Sequence, residues 1–397
     1  MLKYFENMIS IIESSRKLTF YGAALALIFV IQSAYWWIYG FAEKLTRDQV
    51  SICWPFFQSC SGFRFLNSFE YKIFFFSLAL LGMTTSVLFL IKKIKKAVLL
   101  LLVSEIISVL FILLDYRLRL NQNIMILFVI LIYLFALNKQ QLLKIVIILF
   151  YFFAGLLKLN PEWLSGEAIY GTLWLVPNEF KSLAAKYVVF LELFLIWFLL
   201  LSKRFKIVVL IHLFLFHIAS LGVVGFYYPV LMLLILSIFI LDIFDEDKNV
   251  RFLSFDFIGV FILSVLTLFN TAPHFLGHDN ALTGESRILS FHMFDAITTC
   301  NSNAVIHYID KPQEKIDLYM PNVVRIRCDP VVFLSRARQL CLLNASNTHF
   351  FDLDWVLETK KKSDKNTSFK TIVDIKNFCS QNIKYSLFFK NDWIRNH

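Results

Sequence analysis

Long apolar stretches, separated by short polar or basic segments, dominate the first two thirds of the chain. A stretch of about 17–25 apolar residues is long enough to cross a lipid bilayer as a helix. Stretches that reach or approach this length lie at roughly 19–41, 71–91, 97–115, 123–138, 142–157, 185–202, 205–221, 227–244 and 253–270. The fourth, fifth and seventh are short. The pattern predicts an all-α polytopic membrane domain with about nine transmembrane helices.

The residues after the last apolar stretch have the composition of a small soluble domain. "KIDLYMPNVVRIR" alternates as a β-strand does, and "CDPVVFLSRARQLCLL" predicts a helix with Asp329 as N-cap and Pro330 in its first turn. The Lys-rich "ETKKKSDKNTS", residues 358–368, is predicted as an exposed loop. We therefore expect a transmembrane domain at 1–270 and a small α+β domain at 271–397.

Composition and charge support a membrane protein and suggest its orientation. Apolar residues make up 58% of the chain and charged residues 17%, which is far from the balance of a soluble protein. Lys and Arg are concentrated in segments 1–18, 92–96, 138–144, 203–206 and 245–252. The positive-inside rule then predicts a cytoplasmic N-terminus and, after an odd number of spans, an extracytoplasmic C-terminal domain. The net charge of +10 needs no nucleic-acid partner to explain it.

The cysteines agree with this orientation, because all of them fall in segments expected outside: Cys53, Cys60, Cys300, Cys328, Cys341 and Cys379. An even set on the oxidising face predicts disulfides. The spacing leaves the pairing open, and a bridge between the 42–70 loop and the C-terminal domain is among the possibilities. No CxxC pair occurs, so no metal site is predicted.

Ionisable residues inside membrane spans are rare and are candidates for function. The apolar stretches contain Glu105, Glu192, His212 and His217, and Asp115 lies near an outer end. The two histidines are five residues apart, about 140° around a helix, so they do not share a metal-binding face. Each could satisfy a neighbouring polar group between helices, or take part in a proton relay.

Lys158 lies directly after an uncharged apolar run. Snorkelling to the interface is the ordinary explanation for such a lysine. However, residues 159–184 are too polar to span the membrane and contain the aromatic residues Trp163, Tyr170 and Trp174. We expect this lid segment to lie at the outer membrane surface above Lys158. An ammonium group between apolar and aromatic walls loses hydration and can serve as a base near neutral pH.

The segment around Lys158 resembles a known family. "YFFAGLLKLNPEWLSGEAI" is similar to the signature of the vitamin K-dependent γ-glutamyl carboxylases and their bacterial relatives with the horizontally transferred transmembrane (HTTM) domain. The matching residues are Tyr151, Ala154, Gly155, Lys158, Leu159, Trp163, Gly166 and Ala168. Glu192 matches the intramembrane acid of the next span, "HLFLFHIASLGVVGF" resembles the family's His-rich helix, and "RILSFHMFD" resembles the start of the outer domain. The resemblance covers most of residues 19–300.

This resemblance implies a quinol-dependent, carboxylase-like lyase. In the family, the lysine that Lys158 matches deprotonates a reduced vitamin K hydroquinone. Oxygen then adds, and the resulting strong base takes the γ-proton of a substrate glutamate, whose carbanion captures carbon dioxide. The expected cofactor is reduced vitamin K or menaquinol. The expected partners are the bilayer, a lipid quinone and a protein or peptide substrate on the outer face.

The chain departs from the family pattern at the catalytic histidine. The corresponding stretch, "DYRLRLNQNIMIL", has Asn121, Gln122 and Asn123 instead. An amide can orient a carboxylate but cannot exchange protons near neutral pH. The candidates for substrate binding or proton relay are therefore Asn121, Gln122, Glu192, His212 and His217. The C-terminal domain is also much shorter than the outer region of the animal enzymes.

Two functions remain open on the sequence. The first is a membrane enzyme with Lys158 as catalytic base. The alternative is a non-catalytic HTTM-fold protein that binds or anchors an envelope partner through its outer domain. A transporter has less support, because no internal repeat and no nucleotide-binding signature occur. Quinone turnover that depends on Lys158 would separate the first two.

Overall fold

The fold is mostly helical. The computed structural model describes residues 2–47, 51–57, 60, 66–169, 171–244, 256–275, 279–285, 288–291, 298–318, 328–364 and 368–395. The helices are α1 (Leu2–Ser14), α2 (Arg16–Ile38), α3 (Phe41–Arg47), α4 (Ser68–Leu90), α5 (Ile94–Leu113), α6 (Asn121–Phe135), α7 (Lys139–Leu157), α8 (Pro161–Leu164), α9 (Lys181–Leu193), α10 (Lys203–Val224), α11 (Tyr227–Phe244), α12 (Phe257–Thr271), α13 (Asn280–Thr283) and α14 (Pro330–Asn344).

Eight helical segments in these described ranges are long and apolar enough to cross a membrane. They are α2, α4, α5, α7, α10 and α11, together with α9 and α12, each lengthened by 3₁₀ turns. The remaining apolar helix, α6, has 15 residues and is about 22 Å long, less than the hydrocarbon thickness of about 30 Å. The chain is a multi-pass integral membrane protein. Of the nine predicted transmembrane helices, eight have candidate spans among the described residues, and the fourth, predicted at 123–138, corresponds to the shorter helix α6.

Local sequence explains where several of these helices begin. Ser15 caps α2 by accepting a hydrogen bond from the Leu18 backbone N–H, and Asn67 forms a capping box with Glu70 at the start of α4. Asp256 caps α12 at Gly259 and also accepts hydrogen bonds from two backbone N–H groups between α6 and α7. One carboxylate therefore fixes three helix ends together.

Charged helix ends gather at one face of the bundle. The Asp242 carboxylate near the end of α11 lies 2.7 Å from the Nζ atoms of Lys17, Lys144 and Lys206. These lysines belong to the first two turns of α2, α7 and α10. The arrangement brings predicted inner ends of four spans to one side, as an up-and-down order of helices requires.

The opposite face carries the C-terminal domain. Its four strands are β1 (Thr298–Tyr308), β2 (Glu314–Asp317), β3 (Phe350–Lys361) and β4 (Lys370–Ile375), which form an antiparallel sheet in the order β2-β1-β3-β4. Helix α14 packs on β3. The predicted small α+β domain is confirmed, and the chain has a membrane part and a sheet-containing part.

Details of the domain both confirm and correct the sequence predictions. Asp329 caps α14 by accepting a hydrogen bond from the Val331 N–H, and Pro330 is the first helical residue, as predicted. The predicted loop 358–368 is wrong at its start, because residues 358–361 complete β3, where they pair with β1 and β4. Of the predicted strand "KIDLYMPNVVRIR", β2 includes the first three residues, and 319–327 lie outside the described residues.

Three disulfides join Cys53 to Cys60, Cys300 to Cys328 and Cys341 to Cys379. A bridge between the 42–70 loop and the C-terminal domain is therefore wrong. The loop closes on itself because the Cα atoms of its two cysteines are 5.5 Å apart, within disulfide reach. Hydrogen bonds make the contact with the domain instead. The Cys53 N–H donates to Ser335 Oγ over 2.9 Å, and the Tyr116 hydroxyl donates to Asp329 over 2.8 Å.

Candidate functional site

Lys158 is buried and paired rather than extended to the surface. It follows the last residue of α7 and is 2% exposed. Its Nζ lies 2.5 Å from Glu192 Oε1 and 2.6 Å from Oε2, and Glu192 is completely buried in α9. The structure brings together two ionisable residues that the sequence analysis gave as separate candidates. Both charges are removed from solvent, and the attraction between them offsets the cost of their burial.

The local sequence allows this close pairing. A Cβ atom at Gly155, one turn before Lys158, would lie 3.0 Å from the Cβ of Glu192 and from the Leu193 side chain. Helices α7 and α9 can therefore approach each other at this level because residue 155 has no side chain. Glu192 lies in the last turn of α9, just before the helix tightens into the 3₁₀ segment Leu195–Leu200.

Aromatic rings surround the Lys158 ammonium group. The Trp163 ring centroid lies 5.0 Å from Nζ and the Phe216 centroid 5.9 Å from it, which are cation–π distances. Asn160 fixes the position of Trp163 by accepting its backbone N–H, and the Trp163 indole N–H donates to the Ala185 carbonyl. The ammonium therefore lies between a carboxylate and two ring faces.

A cavity of about 410 Å³ begins at Lys158 and extends between α9, α10 and the lid segment. Its lining is Lys158, Trp163, Ile169, Leu173, Leu175, Val176, Ala184, Tyr187, Val188, His212, Leu215, Phe216, Ala219, Ser220, Val223, Val224 and Tyr228. Leu175 and Leu215 are 54% and 46% exposed, so the cavity opens toward the outer surface of the helix bundle. Its size and apolar walls are typical of small-molecule sites.

The two histidines of α10 contact different tyrosines around this cavity. His217 is fully buried, and its Nε2 lies 2.7 Å from the Tyr151 hydroxyl oxygen. Its Nδ1 has no hydrogen-bond partner among the described residues. His212 lines the cavity itself, where its Nδ1 lies 2.7 Å from the Tyr187 hydroxyl oxygen.

The amides proposed as candidates from the family resemblance lie elsewhere. Asn121 and Gln122 are buried in the first turn of α6 and are not part of the cavity lining. Asn123 accepts hydrogen bonds from Gln32 and from Tyr227, in a polar cluster between α2, α6 and α11. The structure therefore does not place these amides beside Lys158.

The lid segment covers the cavity, but only one of its three predicted aromatic residues is known to line it. Trp163 lines the cavity, whereas Trp174 is largely exposed and lies against Gly222 of α10. Tyr170 lies outside the described residues. The other lid residues in the wall are aliphatic: Ile169, Leu173, Leu175 and Val176. Nothing in the local sequence distinguishes such residues from ordinary membrane-facing ones, so the sequence analysis missed them.

Tyrosines are the second class of residue that the sequence analysis missed. Tyr187 and Tyr228 line the cavity, and Tyr151 belongs to the family-like segment but was given no role. The spacing of Tyr151 and Lys158, seven residues or about two helical turns apart, could have placed both on one face of α7.

Comparison with protein-family models, with curated proteins and with solved structures found no match to this chain. The likeness to the carboxylase family therefore rests on the quoted residues alone and stays a prediction.

The site can hold an apolar molecule next to a shielded proton carrier. Apolar walls favour a hydrophobic ligand, and the opening between membrane-facing side chains lets such a ligand enter from lipid. Because Lys158 and Glu192 share a hydrogen-bonded contact, a proton can move between Nζ and the carboxylate without the pair changing its net charge. These properties are the basis for a function.

Proposed function

We propose that this protein binds a lipid-soluble quinol in the cavity and that Lys158 acts there as the proton-accepting group. The observation that carries the proposal is the buried Lys158–Glu192 pair. It lies at the buried end of an apolar cavity that opens on the side of the helix bundle. A lysine needed only for anchoring would reach the interface instead, since its stem is long enough to snorkel.

The lining of the cavity fits a reduced vitamin K or menaquinol. An aromatic ring with a prenyl chain needs apolar walls and a lateral opening, which Leu175 and Leu215 supply by their exposure. Its ring oxygens need a few polar contacts, and Lys158, Tyr187 and His212 are polar residues in the wall. A reduced quinone would supply an acidic hydroxyl and, with oxygen, the strong base that carboxylation of a protein or peptide substrate requires.

The residues of the chain would handle the proton. Lys158 Nζ would pass one proton to the Glu192 carboxylate over the 2.5 Å contact, which frees the nitrogen lone pair to accept a proton from the cavity. The ammonium that results keeps its cation–π contacts with Trp163 and Phe216, so the charge remains stabilised. The lid segment would keep water away from this exchange.

We further propose that the face with the C-terminal domain is extracytoplasmic and that the N-terminus is cytoplasmic. The disulfides of the domain support this orientation, because disulfides persist in oxidising compartments. The lysine cluster around Asp242 on the opposite face agrees with it through the positive-inside rule. A peptide substrate would then reach the site from outside.

The test is oxygen-dependent turnover of reduced menaquinone by the purified protein in lipid nanodiscs. We expect Lys158→Ala to lower turnover by about 10²–10⁴-fold, the usual contribution of an acid–base group. Lys186→Ala, which removes an exposed lysine of α9, is the matched control and should leave turnover unchanged. Equal turnover in the wild type and Lys158→Ala, with both folded, would rule out the catalytic role.

A second candidate function is the binding of an envelope protein without catalysis. It is favoured by exposed apolar side chains at the end of the C-terminal domain, among them Ile309, Leu342, Leu343 and Phe351. In that case the Lys158–Glu192 pair would tie α7 to α9. Absence of menaquinone turnover in the wild type, together with a partner whose capture is lost in Phe351→Ser, would favour this function.

A further inference from the structure

The C-terminal domain is attached directly to the lid of the cavity. Lys361 is the last residue of β3, and its Nζ lies 2.9 Å from Glu162 Oε1 in α8. The same Nζ also forms an ion pair with Asp279, and Ser363 Oγ lies 3.4 Å from Glu162 Oε1. The Lys361 and Glu162 side chains are 13% and 10% exposed, so the contact is largely shielded from water.

Glu162 is adjacent in sequence to the residue that covers Lys158. Helix α8 is a single turn, Pro161–Leu164, that contains both Glu162 and Trp163. A turn this short has no stability of its own, so its place depends on outside contacts. Its contacts with α9 are the Trp163 indole bond to Ala185, the Ser182 hydroxyl bond to the Leu164 carbonyl and apolar packing of Trp163, and its ion pair with Lys361 links it to the C-terminal domain.

Lys361 ties the lid to the domain as a cation between two carboxylates, Glu162 of the lid and Asp279. Burial alone lowers the pKa of Lys361, but Asp279 and Glu162 outweigh burial and hold the pKa above its ordinary value. Lys361 is therefore charged at all physiological pH values. Its removal would leave two carboxylates close together and partly buried, which disfavours the closed arrangement.

Strand β3 also connects this contact with the far end of the domain. It runs from Phe350 to Lys361, a distance of about 36 Å for a strand of this length. Phe351, at its beginning, is 67% exposed, whereas Lys361, at its end, touches the lid. The strand pairs with β1 and β4 on its two sides, so it moves with the sheet as one body.

We propose that Lys361 is a positioning residue of the outer domain, which holds α8 so that Trp163 covers Lys158 and closes the cavity. Because Trp163 lines the cavity beside Lys158, loss of the Lys361 contact would also lower the affinity of the cavity for its ligand. The identity of that ligand as a quinol rests on the proposed function above, but the lid contact does not.

Hydrogen–deuterium exchange of the full chain in nanodiscs tests the proposal without any ligand. We expect Lys361→Gln to speed exchange of the amides at residues 161–169 on the order of tenfold. Glu162→Gln should do the same, since it removes the other partner. Lys361→Arg should restore slow exchange by keeping the charge, and Lys362→Gln, a change of the exposed neighbour on the same segment, is the matched control.

Menaquinone binding by the same variants completes the test. We expect Lys361→Gln to weaken menaquinone binding in proportion to the fraction of molecules that lose the closed lid, with the rest of the bundle exchanging as in the wild type. Unchanged exchange at residues 161–169 in Lys361→Gln would overturn the positioning role. Faster exchange in a protein that binds no menaquinone would support the role of Lys361 while refuting the quinol.

Discussion

At the scale of single residues, Lys158 and Glu192 form one buried ion pair. Neither charge has access to water, and the bidentate contact satisfies both. The Trp163 and Phe216 rings stabilise the cation by cation–π contacts. Neither ring can accept its proton. The free energy of the interaction between Lys158 and Glu192 therefore bears on whether the pair only holds α7 to α9 or also transfers protons.

A double-mutant cycle measures how far the two charges depend on each other. We expect Glu192→Leu to destabilise the protein by about 3–5 kcal/mol, because it leaves the buried Lys158 ammonium without a counter-ion. The double variant Lys158→Met with Glu192→Leu should recover most of that loss, since no charge remains to be desolvated. Thermal unfolding in nanodiscs gives the comparison. If the double variant is no more stable than Glu192→Leu, the pair is not coupled in this way.

Sequence reasoning identified Lys158, Glu192 and both histidines because ionisable residues stand out against apolar neighbours. It could not show which of them meet, since that depends on how α7, α9 and α10 cross. Tyr187 and the aliphatic wall were missed because their residue types are common on lipid-facing helices. Asn121 and Gln122 were selected by the resemblance alone, and the fold places them away from the cavity.

At the scale of secondary-structure elements, the contact of α7 with α9 positions the site. Apolar run length was sufficient to predict the eight candidate spans of the described residues, because the bilayer fixes the length and composition of a span, but it also predicted a ninth where α6 has only 15 residues. It was insufficient in the C-terminal domain, where β3 extends through the polar residues 358–361. Pairing with β1 and β4 determines that extension, and a strand's partners are not encoded locally.

Gly155 offers a graded test of the helix contact. The Cβ of Gly155→Ala would meet Glu192 and Leu193 at 3.0 Å, which requires a shift of a few tenths of an ångström. Gly155→Val adds two methyl groups and should force α7 and α9 apart, at a cost of about 1–3 kcal/mol. We expect the melting temperature and menaquinone affinity to fall in the order glycine, alanine, valine. Leu156→Val, at the half-buried neighbouring position, should change both much less. A valine variant with normal affinity would show that the close approach is dispensable.

At the scale of the whole molecule, the bundle and the C-terminal domain contribute different chemistry to one site. The bundle supplies the proton-carrying pair and a lipid-facing cavity, and the domain contacts the lid at Lys361. Three disulfides close loops within the domain and within the 53–60 loop, and none links the domain to the bundle among the six cysteines. Hydrogen bonds, ion pairs and an apolar cluster that includes Trp54, Tyr116 and Val332 join the two parts in the described residues.

The stability of the domain should depend on pH through Asp354 in β3. Burial alone raises the pKa of Asp354, but the Asn377 backbone N–H, His307 and Lys376 outweigh burial and lower the pKa below its ordinary value. A carboxylate with a lowered folded-state pKa contributes stability that is complete above its unfolded pKa of about 3.9 and is lost as the pH falls through the folded value.

We therefore expect the contribution of Asp354 to the stability of the C-terminal domain to be complete from neutral pH down to about pH 4 and to be lost below. Asp354→Asn should be less stable than the wild type at pH 7, and the difference should shrink as the acid range is reached. Asp392→Asn, at an exposed position, is the control and should follow the wild type. Calorimetric unfolding of the full chain between about pH 3 and pH 7 gives the comparison. If Asp354→Asn lowers stability equally at every pH, its role is packing rather than charge, and the domain gains no pH dependence from β3.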